Sequence, residues 1–266
     1  MIPAPPPLRR AATQVFSGTL AASALVTAYT GLPLAAIPLA LGAAGVFLTP
    51  TLLKNCAWYG PVLKTFPTSD REVWLTIDDG PDPRQTPYVL DVLAKHGAKA
   101  TFFAIGSKIL QSPELAQRIV AEGHSLQNHT FLHPERSFWA AGPSRARKEL
   151  ETCSRAIFQT TGATATQFRA PVGFANPFVH AAAAEQKLTF IGWSSTGYDG
   201  VAHNPEAVLE KIMASVRPGG IILCHDSHLG SLVPKGRANT LDGLLVRLKF
   251  EGYECSVPLN LEALAI

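Results

Sequence analysis

The chain has 266 residues, of which 47% are hydrophobic and 16% are charged, and its formal net charge is +3 at pH 7. This near-neutral balance, with no basic stretch, argues against a nucleic-acid partner. The spacing of the four cysteines matches neither a metal knuckle nor a disulfide framework, so we expect them to be reduced, as is typical of a domain that faces the cytosol. They are Cys56, Cys153, Cys224 and Cys255.

The amino-terminal quarter differs from the rest, because residues 11–53 contain no Asp, Glu, Lys, Arg or His. A single membrane span needs about 20 apolar residues. Gly31-Leu32-Pro33 interrupts the segment, which predicts two transmembrane helices, at roughly 12–30 and 33–53, that form a hairpin. One long span with a buried extension is the alternative. We assign residues 1–10 as a tail, 11–54 as a membrane anchor, 55–70 as a linker and 71–266 as a second domain.

Positive charges around this segment predict its orientation. Arg9 and Arg10 precede it and Lys54 follows it, whereas the turn at Tyr29-Thr30-Gly31 carries no cation. By the positive-inside rule, both ends of a hairpin lie on the cytoplasmic side of a bacterial-type inner membrane. The second domain would then face the cytoplasm, and with only one span it would face the periplasm.

Beyond residue 70, strand-like apolar runs alternate with helical patterns, which predicts an α/β fold. The runs lie near residues 72–77, 100–105, 124–128, 167–170, 189–193, 221–225 and 254–257. A capping side chain before proline predicts helix starts at Thr86-Pro87, Ser112-Pro113, Asn176-Pro177 and Asn204-Pro205. Gly97, Gly123 and Gly162 fall where helices should stop. The periodicity fits a β/α barrel and an open doubly wound sheet equally well.

The most informative motif is Asp78-Asp79, which follows the apolar run of residues 73–77 and precedes Gly80-Pro81. A strand directs successive side chains to opposite faces and Gly-Pro then bends the backbone, so the two carboxyl groups lie close together but point differently. One can bind a metal ion while the other handles a proton. A solvated turn rich in Asp and Gly is the alternative interpretation.

Two histidines, His129 and His133, follow the third strand-like run. On a helical turn, side chains four residues apart share one face, so both rings could reach one ion. Two histidines and one carboxylate are a set that Zn²⁺ and other divalent metals use when positions must stay open for water and substrate. Alone, such a pair is more often structural or exposed, but its occurrence with Asp78-Asp79 favours a metal site.

Three further motifs follow in order: Arg169-Ala170-Pro171-Val172-Gly173, the segment from Trp193 to Asp199, and Leu223-Cys224-His225-Asp226. With these, the sequence resembles the polysaccharide deacetylases of carbohydrate esterase family four, the NodB-like homology domain, over about residues 72–257. The resemblance implies a distorted (β/α) barrel of about seven strands. In such a barrel, active sites form at the carboxyl ends of the strands.

The resemblance also implies a division of roles. Asp79, His129 and His133 would bind a divalent metal, most simply Zn²⁺, with Co²⁺, Ni²⁺ or Mn²⁺ as alternatives, and this metal would polarise an amide carbonyl. Asp78 would act as the general base, and His225 as the acid that protonates the departing sugar amine.

Positioning residues are implied as well. Arg169 would orient the base and Asp199 would tune the acid. A backbone N–H in the Pro171-Val172 segment would help to stabilise the oxyanion, and Leu223 would line the acyl pocket.

One motif departs from the family pattern Asp-x-x-Asp-Trp. The segment Thr196-Gly197-Tyr198-Asp199-Gly200 lacks the first Asp, and Gly200 stands where the family has Trp. An aromatic wall beside the sugar is therefore missing or supplied from elsewhere. We expect Trp193 to belong to the core rather than to a sugar platform.

These motifs predict a membrane-anchored, metal-dependent hydrolase that removes an acyl group, most simply acetyl, from an amino sugar of a glycan or glycolipid. Within the enzyme class, the alternative is deformylation or deacetylation of a polyprenyl-linked sugar at the inner membrane, which a cytoplasmic orientation would favour. A non-catalytic carbohydrate-binding protein would be expected to lack Asp78, a metal ligand or His225, and the chain has all of them. The expected partners are the sugar substrate and membrane lipid, and the sequence predicts no oligomeric state.

Overall fold

A computed structural model of the chain describes residues 7–30, 33–199, 204–226 and 236–258. The strands are β1 (Glu72–Asp78), β2 (Thr101–Ala104), β3 (Ser125–Asn128), β4 (Gln167–Phe168), β5 (Thr189–Phe190), β6 (Ser195–Thr196), β7 (Gly220–His225) and β8 (Glu254–Cys255). The helices are α1 (Pro7–Tyr29), α2 (Pro33–Thr51), α3 (Thr86–His96), α4 (Gly106–Gln111), α5 (Pro113–Ala121), α6 (Pro143–Thr161), α7 (Pro177–Glu185), α8 (Pro205–Met213) and α9 (Gly236–Phe250). Short 3₁₀ turns lie at Phe138–Ala140 and Pro171–Gly173.

The eight strands form one parallel sheet in the order β5-β4-β3-β2-β1-β7-β6, with β8 beside the first residues of β1. In chain order the strands run from β1 outward to β5 and then continue from β6 through β7 back to β1. This is the order of a barrel that is open between β5 and β6, whereas a doubly wound sheet reverses its direction midway. The predicted α/β class is confirmed, and the curled parallel sheet fits a (β/α) barrel.

The segment assigned as a linker contributes to this sheet. Leu63 donates its N–H to the Phe190 carbonyl at 2.9 Å and accepts from the Gly192 N–H at 2.7 Å, while the Phe66 N–H binds the Gly219 carbonyl at 2.8 Å. The side chains of Leu63 and Phe66 are buried. Residues 63–66 therefore hydrogen-bond to the end of β5 and to the residue just before β7, and this pairing buries their apolar side chains.

The residues of β1 alternate between two cores. Val73, Leu75 and Ile77 pack outward against buried residues of the surrounding helices, while Trp74 belongs to the inner cluster with Phe103 and Ile221. Because strand side chains alternate between faces, Asp78 points in the same direction as Trp74, towards the interior of the curled sheet.

The helix boundaries follow the local sequence at most predicted positions. The side chains of Asn176 and Asn204 accept hydrogen bonds from backbone N–H groups in the first turns of α7 and α8, as predicted. Gly97 and Gly162 terminate α3 and α6 with left-handed φ angles of 63° and 74°. Ser112 precedes α5 without a side-chain cap.

The amino-terminal segment forms two helices, α1 and α2, which pack against each other. The Ser17 hydroxyl donates to the Ala43 carbonyl at 3.1 Å across the pair. Among the described residues, however, neither helix combines the length and the apolar character that crossing a membrane requires. The predicted transmembrane hairpin is therefore not supported.

Candidate active site at the carboxyl edge of the sheet

A cavity of about 250 Å³ opens at the edge of the sheet where the parallel strands end. The residues that line it are Lys54, Asp78, Asp79, His129, His133, Glu135, Ala170, Val172, Trp193, Thr196, Tyr198, Leu223 and His225. Asp78 and His225 are register partners at the ends of β1 and β7. The structure thus brings seven of the predicted site residues to one cavity.

Asp78 is fixed by a buried guanidinium. Arg169 donates from Nη1 to Asp78 Oδ1 at 2.7 Å and to the Thr76 hydroxyl at 2.8 Å, and from Nη2 to the Gly192 carbonyl at 2.9 Å. The Phe103 ring lies 4.2 Å from the guanidinium carbon. Arg169 is fully buried and Asp78 nearly so. Burial lowers the pKa of Arg169, while the charge of Asp78 opposes this shift.

Three side chains converge beside Asp78. The Nε2 atoms of His129 and His133 lie 3.4 and 3.3 Å from Asp79 Oδ1, and one ligand atom from each residue lies within 4.8 Å of the others. Burial raises the pKa of Asp79, but its interactions with His129, His133 and His225 lower it by more, so its pKa lies well below the ordinary range. This cluster provides one anionic oxygen and two ring nitrogens, a donor set that suits Zn²⁺ and related divalent ions.

The tautomer of His129 is set by its neighbour. Its Nδ1 lies 2.8 Å from the Arg169 carbonyl oxygen, which can only accept, so Nδ1 carries the proton and the Nε2 lone pair faces the cluster. A hydrogen bond of this kind behind a ligating histidine is common in metal sites. Burial lowers the pKa of His133 to about 4, so this ring is neutral at pH 7, the form in which histidine binds metals.

The two histidines do not meet on a helix, contrary to the prediction. Residues 129–133 form no helical turn, and Thr130 and His133 have positive φ angles of 65° and 50°. The turn is closed by its own side chains, since the Thr130 hydroxyl accepts from the His133 N–H at 3.0 Å. Glu149 Oε2 on α6 also accepts from the N–H groups of Phe131 and Leu132 at 3.0 and 2.9 Å. Tertiary hydrogen bonds therefore bring the two ring centroids to 4.7 Å.

His225 lines the same cavity and is paired with Asp199. Its Nδ1 is 2.7 Å from Asp199 Oδ1, and its backbone N–H donates to Asp199 Oδ2 at 2.7 Å. Burial alone would lower the pKa of His225, but the charge and hydrogen bond of Asp199, with Asp79 and Asp78 nearby, raise it to about 9. The imidazole is therefore protonated at neutral pH and can donate a proton from Nε2.

Of the remaining predicted residues, Val172 and Leu223 line the cavity, while Pro171 begins the turn that holds Val172 and does not line it. Leu223 is buried, and Val172 has a positive φ of 60° in the turn Pro171–Gly173. Trp193 packs against the inner core, as expected, and it also lines the cavity. Gly200 lies outside the described residues.

Sequence reasoning assigned no site role to five residues that contact the site or line the cavity: Thr76, Glu149, Lys54, Glu135 and Tyr198. Thr76 and Glu149 reach the site only through contacts distant in the chain, for which the sequence has no local signal. Tyr198 lines the cavity and has a positive φ of 57°, a conformation that few residues other than glycine adopt.

The fold and the site together define a (β/α)-barrel type hydrolase with a candidate metal centre. A model of the polysaccharide deacetylase family matches residues 66–191. A chitooligosaccharide deacetylase from a Bradyrhizobium strain is 40% identical over 171 residues, covering 64% of this chain and 75% of its own. The peptidoglycan-N-acetylglucosamine deacetylase PgdA of Listeria monocytogenes is 36% identical over 186 residues, but these are 70% of this chain and only 38% of the Listeria protein. The chain therefore belongs to the polysaccharide deacetylase family, whose enzymes are hydrolases of carbon–nitrogen bonds.

Solved structures include an inactive relative. A pseudoenzyme of carbohydrate esterase family four from Bacillus anthracis has a TM-score of 0.66 and 26% sequence identity, over 73% of this chain and 66% of that protein. Fold similarity therefore does not distinguish active from inactive members of the family. Evidence for activity has to come from the residues of the site.

Proposed function

We propose that this protein is a metal-dependent N-deacetylase of an amino-sugar glycan. One observation carries the proposal: a carboxylate held by Arg169, an Asp–His–His cluster and a carboxylate-paired histidine surround one cavity. Each of these groups has a distinct task in amide hydrolysis. The names of the relatives agree with a substrate that carries N-acetyl groups.

The metal-ion requirement is supported by the donor set. Asp79, His129 and His133 would bind a divalent ion, most simply Zn²⁺, which would polarise the amide carbonyl and make water more acidic. Support comes from the convergence of the three ligand atoms and from the proton on His129 Nδ1, which leaves Nε2 for the ion.

The protein groups account for both proton transfers. Asp78, with one oxygen bound to Arg169 and Oδ2 3.7 Å from His129 Nε2, would take a proton from the water that attacks the acetyl carbon. When the carbon–nitrogen bond breaks, protonated His225 would give its Nε2 proton to the departing amine. A backbone N–H of the Pro171-Val172 turn would bind the oxyanion, and Leu223 would contact the acetyl methyl group.

An acetate-release assay tests the proposal. Metal-stripped protein is reconstituted with Zn²⁺ or Co²⁺ and incubated with chitooligosaccharides and with peptidoglycan fragments. We expect acetate and free amine in equal amounts, and none from the metal-stripped protein. Metal uptake without turnover on either glycan would favour the non-catalytic carbohydrate-binding alternative.

A polyprenyl-linked amino sugar at the inner membrane is the second candidate, and it depends on the location of the protein. The cytoplasmic-facing location stays a prediction from the charges around residues 11–53. Cell fractionation and carboxyl-terminal reporter fusions would test it, using one reporter active only in the cytoplasm and one active only after export. Export of the carboxyl terminus would favour peptidoglycan over the lipid-linked sugar.

A further inference from the structure

Lys54, which lies outside the family motifs, lines the same cavity as Asp78, Asp79 and His225. It follows α2 by three residues and is exposed. In the described part of the chain no salt bridge joins it to a carboxylate, neither to the exposed Glu135 of the same cavity nor to the two aspartates. Asp78 binds Arg169, and Asp79 faces the two histidines. The ammonium of Lys54 is therefore not needed to neutralise the catalytic carboxylates.

The residue after Lys54 fixes its position against the catalytic loops. Asn55 is buried with a positive φ of 55°, and its N–H donates to the Gly173 carbonyl at 3.0 Å. Its side-chain Nδ2 donates to the Trp193 carbonyl at 3.2 Å. Since Gly173 ends the turn that contains Val172, Lys54 is held in register with the predicted oxyanion-binding segment. The two hydrogen bonds of Asn55 therefore fix the backbone position of Lys54 relative to the barrel.

A second cation adds to the positive charge at this wall. The Nζ atoms of Lys54 and Lys211 lie 5.6 and 4.1 Å from the centroid of the Tyr198 ring, which also lines the cavity. Cations are attracted to the face of an aromatic ring. Tyr198 thus gathers two ammonium groups at one side of the opening, which favours an anionic group there.

We infer that Lys54 is a specificity-determining residue whose ammonium binds an anionic substituent, a carboxylate or a phosphate, on the amino-sugar substrate. The inference rests on the proposed deacetylase function and names its substrate class: an N-acetylated sugar that carries a negative charge near the reacting amide. Carboxylate would come from acidic sugars of peptidoglycan fragments, and phosphate from a lipid-diphosphate-linked sugar.

The test compares anionic and neutral substrates in the Zn²⁺-loaded full chain. Lys54→Met should lower kcat/KM for peptidoglycan fragments or the diphosphate-linked sugar by about 10-fold or more, because a charge-assisted hydrogen bond is lost. Its kcat/KM for neutral chitooligosaccharides should stay within about twofold. Lys54→Arg keeps the charge and should recover most of the loss. Lys148→Met, which removes an exposed charge on α6, is the matched control and should leave kcat/KM unchanged for both the anionic and the neutral substrates.

Binding gives a second readout that does not depend on turnover. In an Asp78→Asn background, calorimetric titration should show that Lys54→Met weakens binding of the anionic glycan but not of the neutral one. A response confined to peptidoglycan fragments identifies the carboxylate, and one confined to the lipid-linked sugar identifies the phosphate. Equal losses on neutral and anionic ligands, or no loss on either, would overturn the inference. Failure of the wild-type protein to release acetate from any glycan would instead refute the proposed deacetylase. The effect of Lys54→Met on the affinities for the anionic and the neutral glycan would still test the role of Lys54.

Discussion

Arg169 Nη1 donates to Asp78 Oδ1 at 2.7 Å, and the backbone carbonyl of the same arginine accepts from His129 Nδ1 at 2.8 Å. One buried residue therefore orients both the predicted base and a predicted metal ligand. Breaking such a buried pair from one side leaves an uncompensated charge and costs about 3–5 kcal/mol. The division of labour between Asp78 and Asp79 depends on this arrangement, because Asp78 is held by a guanidinium while Asp79 faces the histidines.

The first prediction separates the two carboxylates. Asp78→Asn should retain bound Zn²⁺ but lose hydrolysis by about 100-fold or more, because the base is removed while the ligand set remains. Asp79→Asn, the matched variant one residue away, should lose both metal and activity. Elemental analysis and acetate release, measured on the same preparations, check this. Loss of zinc from Asp78→Asn would show that both carboxylates bind the ion.

The second prediction concerns the alkaline limb of the pH profile. Activity requires protonated His225 and should fall as pH rises through its pKa, which Asp199 helps to raise to about 9. Asp199→Asn removes the negative charge that favours the imidazolium, so the alkaline limb of kcat/KM should move to lower pH. Profiles of both proteins between pH 6 and about 10 give the comparison. An alkaline limb at the same pH in Asp199→Asn would show that Asp199 does not set the pKa of the catalytic acid.

The third prediction concerns the turn that carries the two histidines. Glu149→Ala leaves the N–H groups of Phe131 and Leu132 without their acceptor, so His133 should lose its fixed orientation. Zinc affinity, measured by competition with a chromophoric chelator, should fall by about 10- to 100-fold. Glu151→Ala on the exposed side of α6 is the control and should bind zinc like the wild type. Equal zinc affinities in the two variants would show that the turn at residues 129–133 keeps its conformation without Glu149.

The fourth prediction concerns a carboxyl group behind the site. Asp226 is fully buried and accepts from the Thr86 hydroxyl; burial raises its pKa from 3.8 to about 7, against the effect of this hydrogen bond, and the charge of Asp82 adds to the increase. Between these two pH values the folded state binds more protons at this group than the unfolded state. Its contribution to stability is thus present below about pH 4 and is lost as pH rises towards 7.

The isosteric variant Asp226→Asn should therefore be more stable than the wild type at pH 8, by about 1–3 kcal/mol, and nearly equal to it at pH 4. Urea unfolding at both pH values measures the difference, with the exposed Asp70→Asn as the control. A variant that is less stable at pH 8 would show that the Asp226 carboxylate is stabilised by its surroundings.

Much of the architecture could be predicted from local sequence. Val73, Leu75 and Ile77 form a buried strand because their apolar surface leaves water, and Gly97 and Gly162 end helices because glycine adopts the left-handed conformation at little cost. The two-residue strand β6 was missed, since Ser195 and Thr196 form no apolar run. The membrane prediction also came from the sequence alone and is not supported by the helices of the described residues.

For the site, the sequence by itself determined which chemical groups are available: adjacent carboxylates at a strand end, two histidines, an arginine and a later histidine. Only the tertiary structure decided how they meet. His129 and His133 converge through a non-helical turn closed by Glu149, and Asn55 reaches across the chain to bind Trp193, so that Lys54 enters the cavity. The physical reason is that chain propensities act over a few residues, whereas these hydrogen bonds join segments that are distant in the chain and meet only in the folded structure.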